Sequence, residues 1–378
     1  MRVLVNATSA RLGGGITVLR NLLPAMLEAD KGTNEYVLVA HRDAAAAIDP
    51  HSPRVRIEAA RDEGSLAARL LREQIGIPAR VLRDRIDVVF SPGGLAVFGA
   101  PAPQVLMYQN MAPFEPRVIA RTPEHDKRRF FLLRELGILS GRAVRRLVFI
   151  SRYAQRSILP LIGGRALDSR CIHLGRDLAF RPQARDGIEG LRARYALPAR
   201  YLLTVSQFYF YKNFVELVAA FARAGAAIPD DVALVIAGAE HEASYAAAVR
   251  AEIARHGLER RVLLLGSVPY ADLPALYAGA LAFVFPSTVE NFPNILVEGL
   301  ASGVPTFASK LGPMPEIAGD AASYFDPYDV DDIARALITA THDAPLRDLL
   351  ASRGVQRVQR YSWGATARAL LEVFAEVA

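Results

Sequence analysis

Two carboxylates, Glu290 and Glu298, flank the stretch Asn-Phe-Pro-Asn-Ile-Leu-Val. Pro293 suits the first position of a helix, because its missing N–H needs no intrahelical partner there. A helix opening at Pro293 leaves the amides of Asn294 and Ile295, next to Phe292, outside the intrahelical ladder, and free amides at a helix start attract phosphate. Glu290, in the loop ahead of the helix, is placed to accept hydrogen bonds from hydroxyls on one side of such a phosphate. Glu298, inside the helix, is placed to do so on the other side. A sugar, a diphosphate and a ribose in series have this layout. The competing reading of the spacing alone is an acidic pair that favours the helix dipole.

Two further segments offer phosphate contacts. Gly13, Gly14 and Gly15 follow the strand pattern Val3–Val5 and precede a helical pattern from about Ile16 to Leu27. Backbone without Cβ atoms approaches an anion closely. The triplet matches neither the dinucleotide fingerprint nor the P-loop, so it makes no case for a dinucleotide or a nucleoside triphosphate, and a flexible turn is the alternative. Ser206 to Asn213 follows the strand pattern Tyr201–Val205. Lys212, close to the next helix start, opposes the helix dipole unless an anion lies between them, which favours a ligand role over an exposed lysine with none. Gln109 and Asn110, ahead of Pro113, either orient a sugar hydroxyl or cap a turn; neither titrates.

Other features carry plainer readings. Asp329-Val-Asp331 has the spacing of a divalent-metal motif, but it stands at the entrance of the helical pattern Ile333–Ala340, where aspartates cap. The seven histidines are scattered without ligand spacing, and no metal is expected. A single cysteine, Cys171, excludes an intramolecular disulfide and fits a reducing cytoplasm. The opening Met-Arg-Val-Leu-Val argues against a signal peptide, and no apolar run is long enough to span a bilayer.

Short buried-strand patterns alternate with helical ones throughout. Val3–Val5, Tyr36–Val39, Val88–Phe90, Val105–Met107 and Leu147–Ile150 predict one parallel sheet. Tyr201–Val205, Ala233–Ile236, Val262–Leu265, Ala282–Phe285 and Thr306–Ala308 predict a second. The helical patterns Asn213–Ala224, Ala243–His256 and Leu273–Ala278 supply crossovers. The fold class is α/β, with two Rossmann-like, doubly wound domains over residues 1–185 and 186–361, joined near Arg181–Gly190, and a final helix over 362–378. Ligands of such sheets bind beyond the carboxyl ends of the strands, which places the active site in the cleft.

Charge divides the chain in the same place. Residues 1–185 carry 29 Lys and Arg against 17 Asp and Glu, whereas residues 186–378 carry 16 against 22. A basic first half suits an anionic lipid surface or a phosphorylated acceptor. Nucleic acid is not expected, since no single-strand aromatic–basic motif, zinc-finger spacing or basic-helix heptad is present. Lys127 to Arg134 interleaves arginines with Phe130, Phe131, Leu132 and Leu133. It reads either as an ordinary amphipathic helix or as one lying on an anionic membrane.

Taken together, these segments resemble the retaining glycosyltransferases of family 4, built on the GT-B fold. The Glu-x7-Glu motif of Glu290 and Glu298 carries the likeness most strongly. Leu265–Tyr277, Pro286-Ser-Thr, Gly303-Val-Pro-Thr, Ser151-Arg-Tyr and Leu174-Gly-Arg-Asp177 extend it along almost the whole chain. The resemblance implies a hexose or deoxyhexose, mannose-like first, moved from a nucleoside diphosphate sugar to a glycan acceptor with retention and without a metal or resident cofactor. It implies an acceptor that is lipid-linked, in surface polysaccharide or lipopolysaccharide assembly, and an enzyme peripheral to the inner face of the cytoplasmic membrane. Glu290 would orient the donor sugar and Glu298 the ribose. Lys212 and the helix amides would stabilise the leaving phosphate, with the glycine-rich loop facing the diphosphate and Ser267 and Val268 beside the base. Its final helix would cross back to the first domain, with Trp363 and Phe374 as core. Two positions depart from the family: Ser206 stands where an arginine usually accompanies the lysine, and Gln109-Asn110 where many members carry a histidine–aspartate pair. A nucleotide-sugar epimerase and a non-catalytic nucleotide-sugar sensor are the rival readings.

Overall fold

Apolar runs buried on both faces have one stable destination, the middle of a parallel sheet covered by helices. The computed structural model describes residues 1–10, 14–60, 66–122, 124–163, 169–182 and 188–378, leaving aside the side chains of residues 43, 66, 67, 124 and 125. By packing the chain divides into two units, Met1–Gly175 with Tyr361–Ala378, and Arg176–Arg360.

The first unit holds β1 (Arg2–Ala7), β2 (Glu35–His41), β3 (Val55–Ala60), β4 (Val88–Ser91), β5 (Gln104–Tyr108), β6 (Arg146–Phe149) and β7 (Ser169–Cys171). They form one parallel sheet in the order β3-β2-β1-β4-β5-β6-β7. The second unit holds β8 (Arg200–Val205), β9 (Val232–Ala237), β10 (Val262–Gly266), β11 (Ala282–Phe285), β12 (Thr306–Ser309) and β13 (Ala322–Phe325). Its order is β10-β9-β8-β11-β12-β13, again parallel. Strand order reverses between β1 and β4 in one sheet and between β8 and β11 in the other. These are the switch points at which ligands of doubly wound sheets bind.

Every strand pattern of the sequence lies in a strand, apart from Ile150, which follows the end of β6. Three strands lacked a pattern: β3, β7 and β13, each at a sheet edge. An edge strand pairs on one side only and keeps polar residues, as β3 does with Arg56 and Glu58, so its apolar run is broken.

The join expected at 185/186 lies among residues outside the described set, and the division by packing falls ahead of it, at Gly175/Arg176. Phe180 explains why. It is fully buried in the second unit, edge-on to Tyr270 at 5.3 Å and Tyr277 at 5.9 Å, which draws the preceding residues with it. At the other boundary Tyr361 falls in the first unit, edge-on to His173 at 5.8 Å. The helix Trp363–Ala375 also packs there, burying Leu370, Val373 and Phe374, whose ring lies 5.3 Å from Phe90. Gly175 is required at this contact, since a Cβ would come within 2.2 Å of the Trp363 nitrogen.

No described helix is long and apolar enough to cross a membrane. The helix Glu124–Ala143 leaves Phe131, Leu132 and Leu139 exposed, so its apolar residues are not confined to a core-facing stripe.

Candidate active site

Because β8 and β11 are neighbours, the segments that follow them run side by side. Tyr211, after β8, offers its carbonyl to three donors after β11: the Thr288 amide at 2.8 Å, the Thr288 hydroxyl at 3.1 Å and the Ser287 hydroxyl at 3.4 Å. That stitching brings Lys212 and Glu290 together. Lys212 Nζ donates to Glu290 Oε1 at 2.6 Å, and the two side chains are only 11% and 14% exposed. The ammonium also lies 5.3 Å from the Tyr211 ring centroid. Burial, followed by the Glu290 charge, raises the Tyr211 phenol well above its ordinary range, so it stays neutral beside the pair.

The counter-charge of Lys212 is therefore Glu290, and the helix that follows has a partner of its own. Asn213, fully buried with φ +63°, caps the helix Phe214–Ala224 through its backbone, while its Nδ2 donates to the Pro327 carbonyl at 2.7 Å. The Phe214 and Val215 amides donate to the Tyr245 hydroxyl at 2.6 and 3.4 Å. The first amides of this helix are thus taken by a phenol oxygen, so an anion on Lys212 would have to bind without them. Ser206 is buried, its amide donating to the Ala237 carbonyl at 2.9 Å. Its own carbonyl packs against Gly238, where a Cβ would come within 1.7 Å.

The helix after Glu290 runs Asn294–Ala301, one residue later than expected. Pro293 is its N-cap, not its first residue, because Val297 N–H already closes onto the Pro293 carbonyl at 3.1 Å. The Asn294 amide is not free either; it donates to the Phe292 carbonyl at 3.0 Å. Of the first-turn amides, Ile295 and Leu296 are the two that this helix leaves to a ligand or water. Phe292, ahead of this helix, is buried.

Glu298 sits in this helix, 8% exposed. The Tyr270 hydroxyl lies 3.0 Å from Asp177 Oδ2 and 3.3 Å from Glu298 Oε1. One phenolic hydrogen serves two carboxylates, so Tyr270 orients Glu298 through a contact that can shift to Asp177. Ser267 and Val268 precede Tyr270 in the loop after β10, with Ser267 exposed.

In the first unit, Gly13 lies outside the described residues, and Gly14 and Gly15 open the helix Gly14–Ala29. A Cβ on Gly15 would lie 3.4 Å from Ala10 Cβ and 3.9 Å from Gln109 Oε1. The start of the helix Gly14–Ala29 and the amide after β5 therefore meet at the carboxyl edge of their sheet. Asn110 takes the turn-capping alternative, its Oδ1 accepting from the Ala112 amide at 3.0 Å.

Asp329 caps the helix Val330–His342, its Oδ1 accepting from the Asp331 and Asp332 amides at 2.9 and 3.1 Å, and Asp331 pairs with Arg223 at 2.7 Å. The sequence reading gave no individual role to Tyr245, Tyr270, Ser287 or Thr288. Pro286-Ser-Thr and the Leu265–Tyr277 segment were legible as matches, but a side chain acting across 28 or more residues leaves no local signal.

Residues 192–357 match the family described as glycosyl transferases group 1. The chain is 39% identical over 99 residues to O-antigen chain mannosyltransferase B of Escherichia coli, covering 26% of either protein. It is 28% identical over 202 residues to the serotype-specific mannosyltransferase WbdA of Escherichia coli, 53% of this chain and 25% of that one. The chain thus spans about a quarter of the length of these curated relatives. The crystal structure of Anabaena Alr3699/HepE in complex with UDP and glucose superposes with a TM-score of 0.78 at 21% identity over the whole of both chains. That likeness concerns the fold. The segment that builds the Lys212–Glu290 pair lies wholly inside the residues that match glycosyl transferases group 1, and the fold is GT-B.

Proposed function

We propose that the protein is a retaining glycosyltransferase of family 4 that moves a hexose or deoxyhexose from a nucleoside diphosphate sugar to a glycan acceptor without a catalytic metal. The observation that carries this reading is the Lys212–Glu290 pair at 2.6 Å, followed in the chain by the helix Asn294–Ala301, which leaves its Ile295 and Leu296 amides open and carries Glu298. In the free protein each charge neutralises the other. A donor sugar separates them: its hydroxyls donate to Glu290 and its diphosphate accepts from Lys212. As the bond from the anomeric carbon to the phosphate oxygen breaks, charge grows on that oxygen, and a preplaced cation contributes roughly 3 kcal/mol to the transition state. The leaving phosphate takes the proton of the attacking acceptor hydroxyl on the same face, which retains the anomeric configuration. Gln109, beside Gly15, orients a hydroxyl but does not act as base, since an amide does not titrate.

Mannose is the first donor to test, because the names of two relatives specify mannosyl transfer in O-antigen chains and serotype determination. A lipid-linked acceptor at the inner face of the cytoplasmic membrane fits the basic first half of the chain and the exposed Phe131 and Leu132. Metal independence is in keeping with the commitment of Asp329 to a helix cap and of Asp331 to Arg223.

The test is product analysis by NMR with GDP-mannose, UDP-glucose and the corresponding deoxysugar donors, with and without acceptor, in chelator. Acceptor-dependent product of retained configuration supports the proposal. Inverted product, turnover without acceptor, or dependence on an added divalent ion contradicts it.

A further inference from the structure

The first unit contains a cavity of about 350 Å³ that the reading above does not use. It lies at the carboxyl ends of β1, β2 and β3. Thr8 follows β1, His41 ends β2, and Ala60 ends β3. The helix Leu66–Asp84 supplies Arg69, Arg72, Glu73 and Arg80 to its wall. This is the sheet edge where ligands of open parallel sheets sit.

Glu73 is the centre of the arrangement. It is 8% exposed, and its carboxylate accepts from Thr8 Oγ1 at 2.6 Å and Asn6 Nδ2 at 3.3 Å, with Arg69 Nε at 3.2 Å. Those contacts fix its orientation, and a carboxylate has room for about four hydrogen bonds. Arg80 is fixed in turn, its Nε donating to Glu58 at 2.5 Å and its Nη1 to the Gly76 carbonyl at 3.0 Å. Arg72 is exposed at the wall. The lining thus carries three guanidinium groups, Arg69 paired with Glu73, Arg80 paired with Glu58 and Arg72 exposed, while Val39 and Ile77, both buried, give it an apolar side. Fixed guanidiniums recognise phosphate or carboxylate oxygens, and a fixed carboxylate recognises hydroxyls. The volume lies at the small end of the range of ligand pockets, about 300–1,000 Å³, which suits one sugar ring with one charged group.

We propose that this cavity binds a sugar bearing a phosphate or carboxylate group, with the arginines on the charge and Glu73 on the ring hydroxyls. Every residue of the site belongs to the first unit, and none has a part in the donor chemistry, so this inference stands or falls independently of it. The charged sugar is either part of the acceptor or a free effector.

The test is calorimetric titration of the full chain with mannose 6-phosphate, mannose and inorganic phosphate. Mannose 6-phosphate should bind with one site per chain, and the two fragments at least tenfold more weakly. Arg72→Ala, at an exposed position, and Ala60→Leu, which fills space without changing charge, should each weaken it at least tenfold while nucleoside diphosphate affinity is unchanged. In transfer assays, competition with acceptor identifies an acceptor group, and a changed kcat without competition identifies an effector. Absence of saturable binding at millimolar ligand, indifference to both substitutions, or displacement by nucleoside diphosphate would overturn the proposal.

Discussion

Replacing Lys212 by methionine keeps the length and removes the charge, so it isolates the ion pair. In the wild type the Nζ–Oε1 distance is 2.6 Å and neither side chain is more than 14% exposed. Taking one partner from a buried pair costs about 3–5 kcal/mol, because the other charge stays uncompensated. Here some water reaches both groups, and about 2–3 kcal/mol is the appropriate expectation. For a unit of this size that corresponds to a fall of about 5–10 °C in Tm, read by calorimetry. The double variant Lys212→Met/Glu290→Gln removes both charges and should recover most of the loss. Nucleoside diphosphate affinity tells the other half of the story. It should fall at least tenfold in both variants, about 1.4 kcal/mol, since the cation for the diphosphate is gone in each. A Tm within 1 °C of wild type for Lys212→Met, or a double variant as unstable as the single one, would refute the account of the pair. Unchanged nucleotide affinity would remove Lys212 from the donor site.

Glu290→Gln should leave the chain folded yet lower transfer at saturating donor by about 100-fold, the scale of a lost charge-assisted contact in the transition state, as steady-state rates would show. Tyr270→Phe frees Glu298 from its phenol and should weaken a ribonucleoside diphosphate several-fold more than its 2′,3′-dideoxy analogue; equal effects on the two would detach Tyr270 from ribose recognition. Acid stability reports on Asp30, whose side chain is 1% exposed. Burial raises its pKa, but hydrogen bonds from Arg54, Tyr36 and Gly32 outweigh that and hold it below its ordinary value. A depressed folded pKa stabilises above the unfolded value of about 3.9 and is lost as pH falls through the folded one. Asp30→Asn should therefore cost about 2–3 kcal/mol in urea denaturation at pH 7 and progressively less below about pH 4.

Short-range rules sufficed for the interior of both sheets. Val3–Val5 or Ala282–Phe285 must be buried on both faces wherever they lie, so their composition declares a central strand without knowledge of any partner. Of the four edges β10 keeps an apolar run, whereas β3, β7 and β13 do not, because a strand paired on one side only need not be apolar. The same distinction runs through the candidate site. Glu290, Glu298 and Lys212 stood out by type and position in the sequence, as did the helix start between the two glutamates. That Lys212 and Glu290, 78 residues apart, hold each other at 2.6 Å follows only from the adjacency of β8 and β11. Nor could local sequence disclose that Tyr245 caps the helix after Lys212, or that Tyr270 stands between Asp177 and Glu298. Propensity and periodicity act over a few residues, whereas which orphan amide finds which oxygen is settled when distant segments pack.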